Sequence, residues 1–190
     1  PRVLPTPGGA PFPAVLMDNV YETLVRIDED GSITPGLASS WEISDDARSY
    51  TFHLREGVTF SNGDAFTAET AAFSINYVRE KWTNGISAAM DPVAKATATD
   101  EHTLKVRLKQ PSNGWLWSMG TATGAMMTPN GMDNLAAQPV GTGPFEVSRF
   151  APSEFVELRV RKNYWGKPAA HDVTVRYFPD TISSVNALQA

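Results

Sequence analysis

Two pairs of acidic residues lie close enough along the chain to suggest carboxylate chemistry. Asp45 and Asp46 are adjacent, and Glu154 precedes Glu157 by three positions. Paired carboxylates act as acid and base in glycoside hydrolysis. The first pair, however, falls in a predicted hairpin turn, where Asp is common. The second pair falls in a predicted strand, where positions three apart face opposite sides. A carboxylate-pair hydrolase stays open as an alternative, but neither pair favours it, and we predict no enzymatic activity.

Residues that hold metals or act as nucleophiles are few and scattered. The three histidines, His53, His102 and His171, lack the i, i+4 spacing of a helical zinc site. The chain has no cysteine, which excludes disulfides, thiolate nucleophiles and cysteine-ligated metals. It also has no Gly-x-Ser-x-Gly nucleophile elbow. We therefore predict neither a bound metal nor a cofactor.

The segment Gly141-Thr-Gly-Pro144 has the glycine content of a phosphate-binding loop. Such loops bind phosphate through backbone N–H groups at a helix N-terminus. Here Pro144 has no N–H, no Lys-Ser or Lys-Thr pair follows, and the next segment has the pattern of a strand. The sequence therefore predicts a tight turn packed between other segments.

Charge and hydropathy exclude two classes of interaction. The chain has 16 basic and 21 acidic residues and shows no basic stripe, so we predict no nucleic-acid partner. No apolar run approaches the roughly 18 residues that cross a bilayer. Basic residues on predicted strands, among them Arg55, Arg159 and Arg161, are expected to form a solvated outer face. The absence of cysteine is compatible with an exported protein.

Alternating apolar residues predict a chain rich in antiparallel strands. In the clearest case, Tyr50, Phe52 and Leu54 alternate with polar residues and indicate a hairpin with one buried face. The segments with strand patterns are 25–27, 39–60, 95–109, 145–150, 155–161 and 173–178.

Helical spacing predicts one long helix, with Thr67 as its N-cap and its end near Lys81. Its core side would carry Ala71, Ile75, Val78 and Trp82. Shorter helices are predicted at 15–24, 133–137 and 182–190, and a proline-rich loop at 1–13.

Trp115 and Trp117 follow a glycine and lie two positions apart, so they cannot easily share one face of a helix. This spacing leaves open that one of the two rings lies at a surface or in a cleft, although a core position is favoured for each.

Six short motifs occur in a set order along the chain. They are Val20-Tyr-Glu-Thr-Leu24, Pro35-Gly-Leu-Ala-Ser-Ser-Trp41, Tyr50-Thr-Phe-His-Leu-Arg-Glu-Gly-Val58 with Phe60 and Gly63, Phe66-Thr-Ala-Glu69, Gly141-Thr-Gly-Pro-Phe145 and Asn163-Tyr-Trp-Gly166. In this order they closely resemble the family 5 extracellular solute-binding proteins of bacterial ABC importers, which include dipeptide, oligopeptide and nickel binders. Two features depart from the family: Thr70 stands where Asp is usual, and the proline-rich start lacks the usual opening strand.

The resemblance implies a mixed α/β fold of the periplasmic-binding-protein type, in which two lobes close on a ligand by a hinge. Compared with the family, the chain would be an N-terminal part. Residues 1–35 and 140–190 would belong to the first lobe and 36–139 to a small extra α+β domain. The second lobe would be absent.

The same resemblance implies a function in transport. The protein would capture a small solute, with a peptide favoured over nickel, haem or an oligosaccharide, and deliver it to ABC permease subunits. It would be a monomer in the periplasm or outside the cell, and a lipid anchor upstream of Pro1 stays open. A sensor or interaction module on the same fold is the other alternative.

Candidate ligand contacts come from three places along the chain. One is the start of the first lobe, one is the extra domain, and one is the predicted junction between them. These residues are Met17, Asn19, Tyr21, Trp117, Met126, Gly141 and Thr142. Because many partners of the ligand would lie in the absent lobe, we expect the 190-residue chain alone to bind weakly or not at all.

Overall fold

A computed structural model describes residues 14–82, 86–135 and 138–178. The predicted loop over 1–13 and helix over 182–190 lie outside the described residues, as does the end of the predicted helix over 133–137. In the described part, none of the helices is both long and apolar enough to cross a bilayer. The elements are β1 (Val25–Ile27), β2 (Ile33–Pro35), β3 (Ala38–Ile43), β4 (Ser49–Leu54), α1 (Ala68–Lys81), β5 (Val93–Asp100), β6 (Thr103–Leu108), α2 (Trp115–Ser118), β7 (Phe145–Ala151), β8 (Phe155–Val160) and β9 (Val173–Arg176), with short 3-10 turns between some of them.

The described strands form three antiparallel sheets. A β1–β2 hairpin turns at Gly31, whose φ of +83° favours glycine. A four-stranded sheet has the order β3-β4-β6-β5, and a three-stranded sheet has the order β7-β8-β9. The predicted hairpins are thus confirmed. The strand pattern predicted at 58–60 is wrong, because the chain leaves the sheet after Leu54, turns at Gly57 with φ of +71°, and pairs there only through an isolated bridge between Thr59 and Ala65. The four-stranded sheet lies within 36–139, but the domain boundaries themselves stay predictions.

One face of the four-stranded sheet forms much of the core. Tyr50, Phe52 and Leu54 on β4 are buried, as their alternation predicts. The ring of Trp115 packs edge-on against Tyr50 and Phe52, with centroids 4.9 and 6.1 Å away. Helix α1 packs on β5 and β6. Its predicted core residues are confirmed as buried.

Helix α1 begins with a reciprocal cap. The Thr67 hydroxyl accepts from the Thr70 N–H at 3.4 Å, and the Thr70 hydroxyl accepts from the Thr67 N–H at 3.0 Å. These bonds satisfy two of the donors that a helix start leaves without partners. Thr70, which departs from the family pattern, therefore supplies an acceptor where the family usually has the Asp carboxylate.

The predicted helix over 15–24 is wrong. A short 3-10 turn covers Ala14–Leu16, and Asp18 then adopts a left-handed conformation with φ of +64°. The carbonyls of the following residues accept from distant segments rather than from their own i+4 neighbours. The Asn19 carbonyl accepts from the Phe145 N–H, that of Glu22 from Met126, and that of Thr23 from Leu37. The helical spacing reflects burial from several sides, not a helix.

Candidate functional site

The carboxylate of Glu22 lies at the centre of a buried polar cluster. Glu22 is 2% exposed. Its Oε1 accepts from Thr142 Oγ1 at 2.9 Å and from Trp165 Nε1 at 2.8 Å. Its Oε2 accepts from Tyr164 Oη at 2.7 Å and from Arg26 Nη2 at 3.0 Å. We call these five residues the Glu22 cluster.

The Glu22 cluster supplies what a buried carboxylate needs. An ionised carboxylate offers about four lone-pair sites, and the cluster provides four donors. One donor is a cation, which offsets part of the cost of burying the charge. Burial, and then the hydrogen bond to Glu22, raises the pKa of Tyr164 to about 12. The Tyr164 hydroxyl therefore stays protonated and donates throughout the neutral range.

The Glu22 cluster joins three of the six sequence motifs. Glu22 lies in the first motif, Thr142 in the Gly141–Phe145 motif, and Tyr164 and Trp165 in the Asn163–Gly166 motif. Sequence analysis did not identify Glu22 as important. The available signal was an acidic residue between apolar neighbours in Val20-Tyr-Glu-Thr-Leu24, where a charge is costly unless it has a partner.

The predicted turn at Gly141–Pro144 is confirmed, and it packs directly against the Glu22 segment. A Cβ on Gly141 would lie 1.9 Å from the Val20 carbonyl oxygen, and one on Gly143 would lie 2.4 Å from that of Asn19. The Gly143 N–H donates to the Val20 carbonyl at 3.0 Å. Glycine is required at both positions because the two backbones approach so closely.

The prediction that Arg161 lies on a solvated face is wrong. Arg161 is 6% exposed, and it donates to the carbonyls of Gly143 at 3.0 Å and Thr59 at 2.9 Å. It follows the last residue of β8, so the alternation of the strand does not govern its direction. Arg55 is also half-buried: its Nε donates to the Gly36 carbonyl at 2.7 Å, and its guanidinium lies 4.8 Å from the ring centroid of Trp165.

Four of the predicted ligand contacts converge around the Glu22 segment. Tyr21, Met126, Gly141 and Thr142 are all buried. The Met126 N–H donates to the Glu22 carbonyl at 2.9 Å. Burial raises the pKa of the Tyr21 hydroxyl. These four residues are part of the protein interior. Their assignment as direct ligand contacts stays a prediction.

The other three candidates have accessible surface. Trp115 is 1% exposed, so its favoured core position is confirmed, whereas Trp117 is 49% exposed and the alternative of a surface position holds for it. Met17 and Asn19 are half-buried, and Asn19 Nδ2 donates to the Val15 carbonyl at 2.8 Å. Their roles as contacts also stay predictions.

An open concavity of about 430 Å³ lies against the Glu22 cluster. Arg26 and Tyr164 form part of its wall, so two cluster members have a side facing solvent. Asp18, Asp28 and Lys167 add charges of both signs to the lining. The concavity therefore offers the mixed charge that suits a zwitterionic solute.

One member of each acidic pair has a partner that stabilises a turn or a strand pair. Asp46 accepts from Ser44 Oγ and from the Arg48 N–H, which lowers its pKa and stabilises the hairpin turn. Glu154 lies in the turn before β8, not in the strand as predicted, and Glu157 pairs with Arg149 at 3.3 Å. Among the described residues there is no group of three or more potential metal ligands.

The fold is that of a periplasmic binding protein. The chain is similar to NikA from Brucella suis, solved in complex with Fe(III)-EDTA, with a TM-score of 0.81, 30% identity, and coverage of 90% of this chain and 36% of that one. It is also similar to DppA from Helicobacter pylori in complex with the peptide STSA, with a TM-score of 0.80, 29% identity, and coverage of 90% and 39%.

The chain belongs to the bacterial extracellular solute-binding proteins, family 5 Middle, whose model matches residues 32–190. The nickel-binding periplasmic protein of Escherichia coli is 32% identical over 183 residues, which cover 90% of this chain and 34% of the relative. A putative ABC transporter peptide-binding protein of Brucella ovis is 32% identical over 185 residues, with the same two coverages. The chain thus spans about a third of the length of these relatives. The predicted family and fold class are confirmed.

The Tyr164 hydroxyl can be tested by a matched pair of Tyr→Phe changes. Tyr164→Phe removes one donor from the buried Glu22 carboxylate, and we expect it to lower the free energy of unfolding by about 1–3 kcal/mol. Tyr177→Phe makes the same chemical change at a 39% exposed ring and should have little effect. Urea denaturation measures both variants. Equal losses of unfolding free energy in the two variants would show that the hydrogen bond from Tyr164 to Glu22 does not contribute to stability.

The close approach at Gly141 predicts a steric effect. Gly141→Ala places a methyl group against the Val20 carbonyl, and we expect a loss of about 3 kcal/mol or more. Gly114→Ala is the control, because a Cβ there meets nothing within 4 Å; its cost should stay within about 1 kcal/mol. Thermal unfolding compares the two. A stable Gly141→Ala variant would contradict the packing.

Proposed function

We propose that this chain is part of the solute-binding component of a bacterial ABC importer, which captures a small solute and delivers it to permease subunits. The observation that carries the proposal is the match of the family 5 model to residues 32–190. Relatives named as ABC transporter peptide-binding and nickel-binding periplasmic proteins support it. The proposal includes a periplasmic or extracellular location and a monomeric state, with a lipid anchor left open.

In the proposed mechanism no bond is made or broken, and the work is done by differential affinity. A ligand that binds better between closed lobes shifts the population toward the closed state, which the permease recognises. At saturating ligand, the size of this shift is set by the ratio of the affinities for the two states. This chain would contribute one wall, which the Glu22 cluster makes rigid by tying distant segments together.

We propose a short peptide as the solute. Two surface features support this choice: the exposed ring of Trp117, and the concavity lined by Asp18, Arg26, Asp28 and Lys167, whose opposite charges suit the two ends of a peptide. The DppA neighbour is itself in complex with a peptide. A nickel chelate, haem and an oligosaccharide are the alternatives within the family.

Release of the bound molecule tests the proposal directly. The longest gene product that contains these residues is purified and denatured, and released small molecules are identified by mass spectrometry. We expect short peptides. Recovery of a metal chelate, haem or an oligosaccharide would preserve transport but overturn the peptide assignment. An empty protein that also shows no binding of the tetrapeptide STSA or of a nickel–histidine complex would favour the sensor alternative.

The isolated chain should bind weakly, because partners of the ligand are proposed to lie in a second lobe. We expect the 190-residue chain to bind the tetrapeptide STSA and a nickel–histidine complex with dissociation constants weaker than about 1 μM. Isothermal titration calorimetry measures both. A submicromolar value for either probe would contradict the need for the second lobe.

Trp117 is the candidate contact that can be replaced with least effect on folding, because about half of its surface is exposed. In the longer gene product, Trp117→Ala should weaken binding of the released solute by about tenfold, the order expected for one stacked aromatic ring. Ile43→Ala is the control, since Ile43 is similarly exposed at 48% but lies on β3. If the two variants bind the solute with equal affinity, Trp117 does not contact the solute.

A further inference from the structure

We propose that a second concavity, at the end of β8, binds a small oxyanion such as a carboxylate or phosphate. It has a volume of about 570 Å³ and lies between the loop around Thr59–Gly63 and the segment that runs from Arg159 to Asn163. This volume is within the range of small-molecule sites. The site does not depend on the proposed solute capture, and its lining shares no residue with the concavity beside the Glu22 cluster.

The charges around this concavity do not balance. Three cations, Arg159, Arg161 and Lys162, line it together with one carboxylate, that of Glu146. Glu146 is already paired, because Arg159 Nε donates to its Oε1 at 2.8 Å. Among the described residues, no carboxylate lies within 4 Å of the charged nitrogens of Arg161 or Lys162. Within that part of the chain, Arg161 and Lys162 therefore have no direct counter-ion.

Arg161 makes this imbalance costly because only 6% of its surface is exposed to solvent. Neutral oxygens hold its guanidinium: the carbonyls of Gly141, Gly143 and Thr59, and the Thr59 hydroxyl. A guanidinium does not deprotonate in proteins, so the charge persists. Burial lowers the pKa of Arg161, and the more distant Glu146 and Glu22 offset this only in part. A bound anion would supply the missing charge, in surroundings where screening by water is reduced.

The remaining lining groups suit an oxyanion rather than a cation. Lys162 places an ammonium at the exposed rim, where it is accessible to a ligand from solvent. Ser61 and Asn163 add a hydroxyl and a side-chain amide, both of which can donate. Hydrogen bonds from charged donors to carboxylate or phosphate oxygens are stronger than bonds between neutral groups. The donor set and the excess charge point to the same ligand class.

Occupancy would also stabilise the fold, since Arg161 joins Thr59 to the Gly141–Gly143 turn. A ligand that binds only the native state raises its stability as the ligand concentration increases. The test is thermal unfolding of the 190-residue chain in increasing inorganic phosphate or succinate, with sodium chloride at matched ionic strength as the salt control. We expect at least one of the two anions to raise the unfolding temperature in a saturable way. Sodium chloride should not produce the same rise.

Lys162→Gln identifies the site without disturbing Arg161, whose replacement could prevent folding. We expect Lys162→Gln to raise the dissociation constant for the anion by about threefold or more, the order expected for one exposed charge. Calorimetry measures this constant. Lys105→Gln is the control, because Lys105 is exposed on β6 and lines neither concavity. Equal effects of the two variants, or a rise that chloride fully reproduces, would overturn the proposal.

Discussion

The structure depends on one buried negative charge. Removing a carboxylate from water is unfavourable unless donors replace the water. Glu22 obtains its donors from Arg26 nearby and from Thr142, Tyr164 and Trp165, which lie 120 to 143 positions further along the chain. Each donor must reach the same two oxygen atoms. The cluster therefore fixes where the Gly141–Phe145 turn and the Asn163–Gly166 loop lie relative to the first motif.

The backbone around Glu22 is equally constrained. The carbonyls of Asn19, Val20 and Thr23 accept hydrogen bonds from other segments of the chain. The backbone here therefore lies between several segments and does not form a helix. Two glycines then allow the Gly141–Pro144 turn to approach within contact distance of Val20 and Asn19. Hydrogen bonds from Arg161 to the carbonyls of Gly141 and Gly143 hold the same turn. These polar interactions thus meet where the Gly141–Pro144 turn packs on residues 19–23, which we call the crossing point.

A rigid crossing point is useful to a protein proposed to work by lobe closure. Closure discriminates between states only if each wall keeps its own shape while the lobes move. In the proposed mechanism the Glu22 cluster would stiffen one such wall, and two of its members, Arg26 and Tyr164, line an open concavity. Arg161, which lines the proposed anion site, donates to the carbonyls of Gly141 and Gly143, so occupancy of that site would reinforce the same turn.

The sequence by itself determined the elements whose signals are local. Alternation predicted β4 and its partners, and the Thr67 cap and helical spacing predicted α1. Motif order predicted the family. Only the tertiary structure decided the backbone conformation of residues 15–24, the burial of Arg161 and the central position of Glu22. Each of these depends on hydrogen bonds between segments far apart in the chain, and such bonds leave no period in the local sequence.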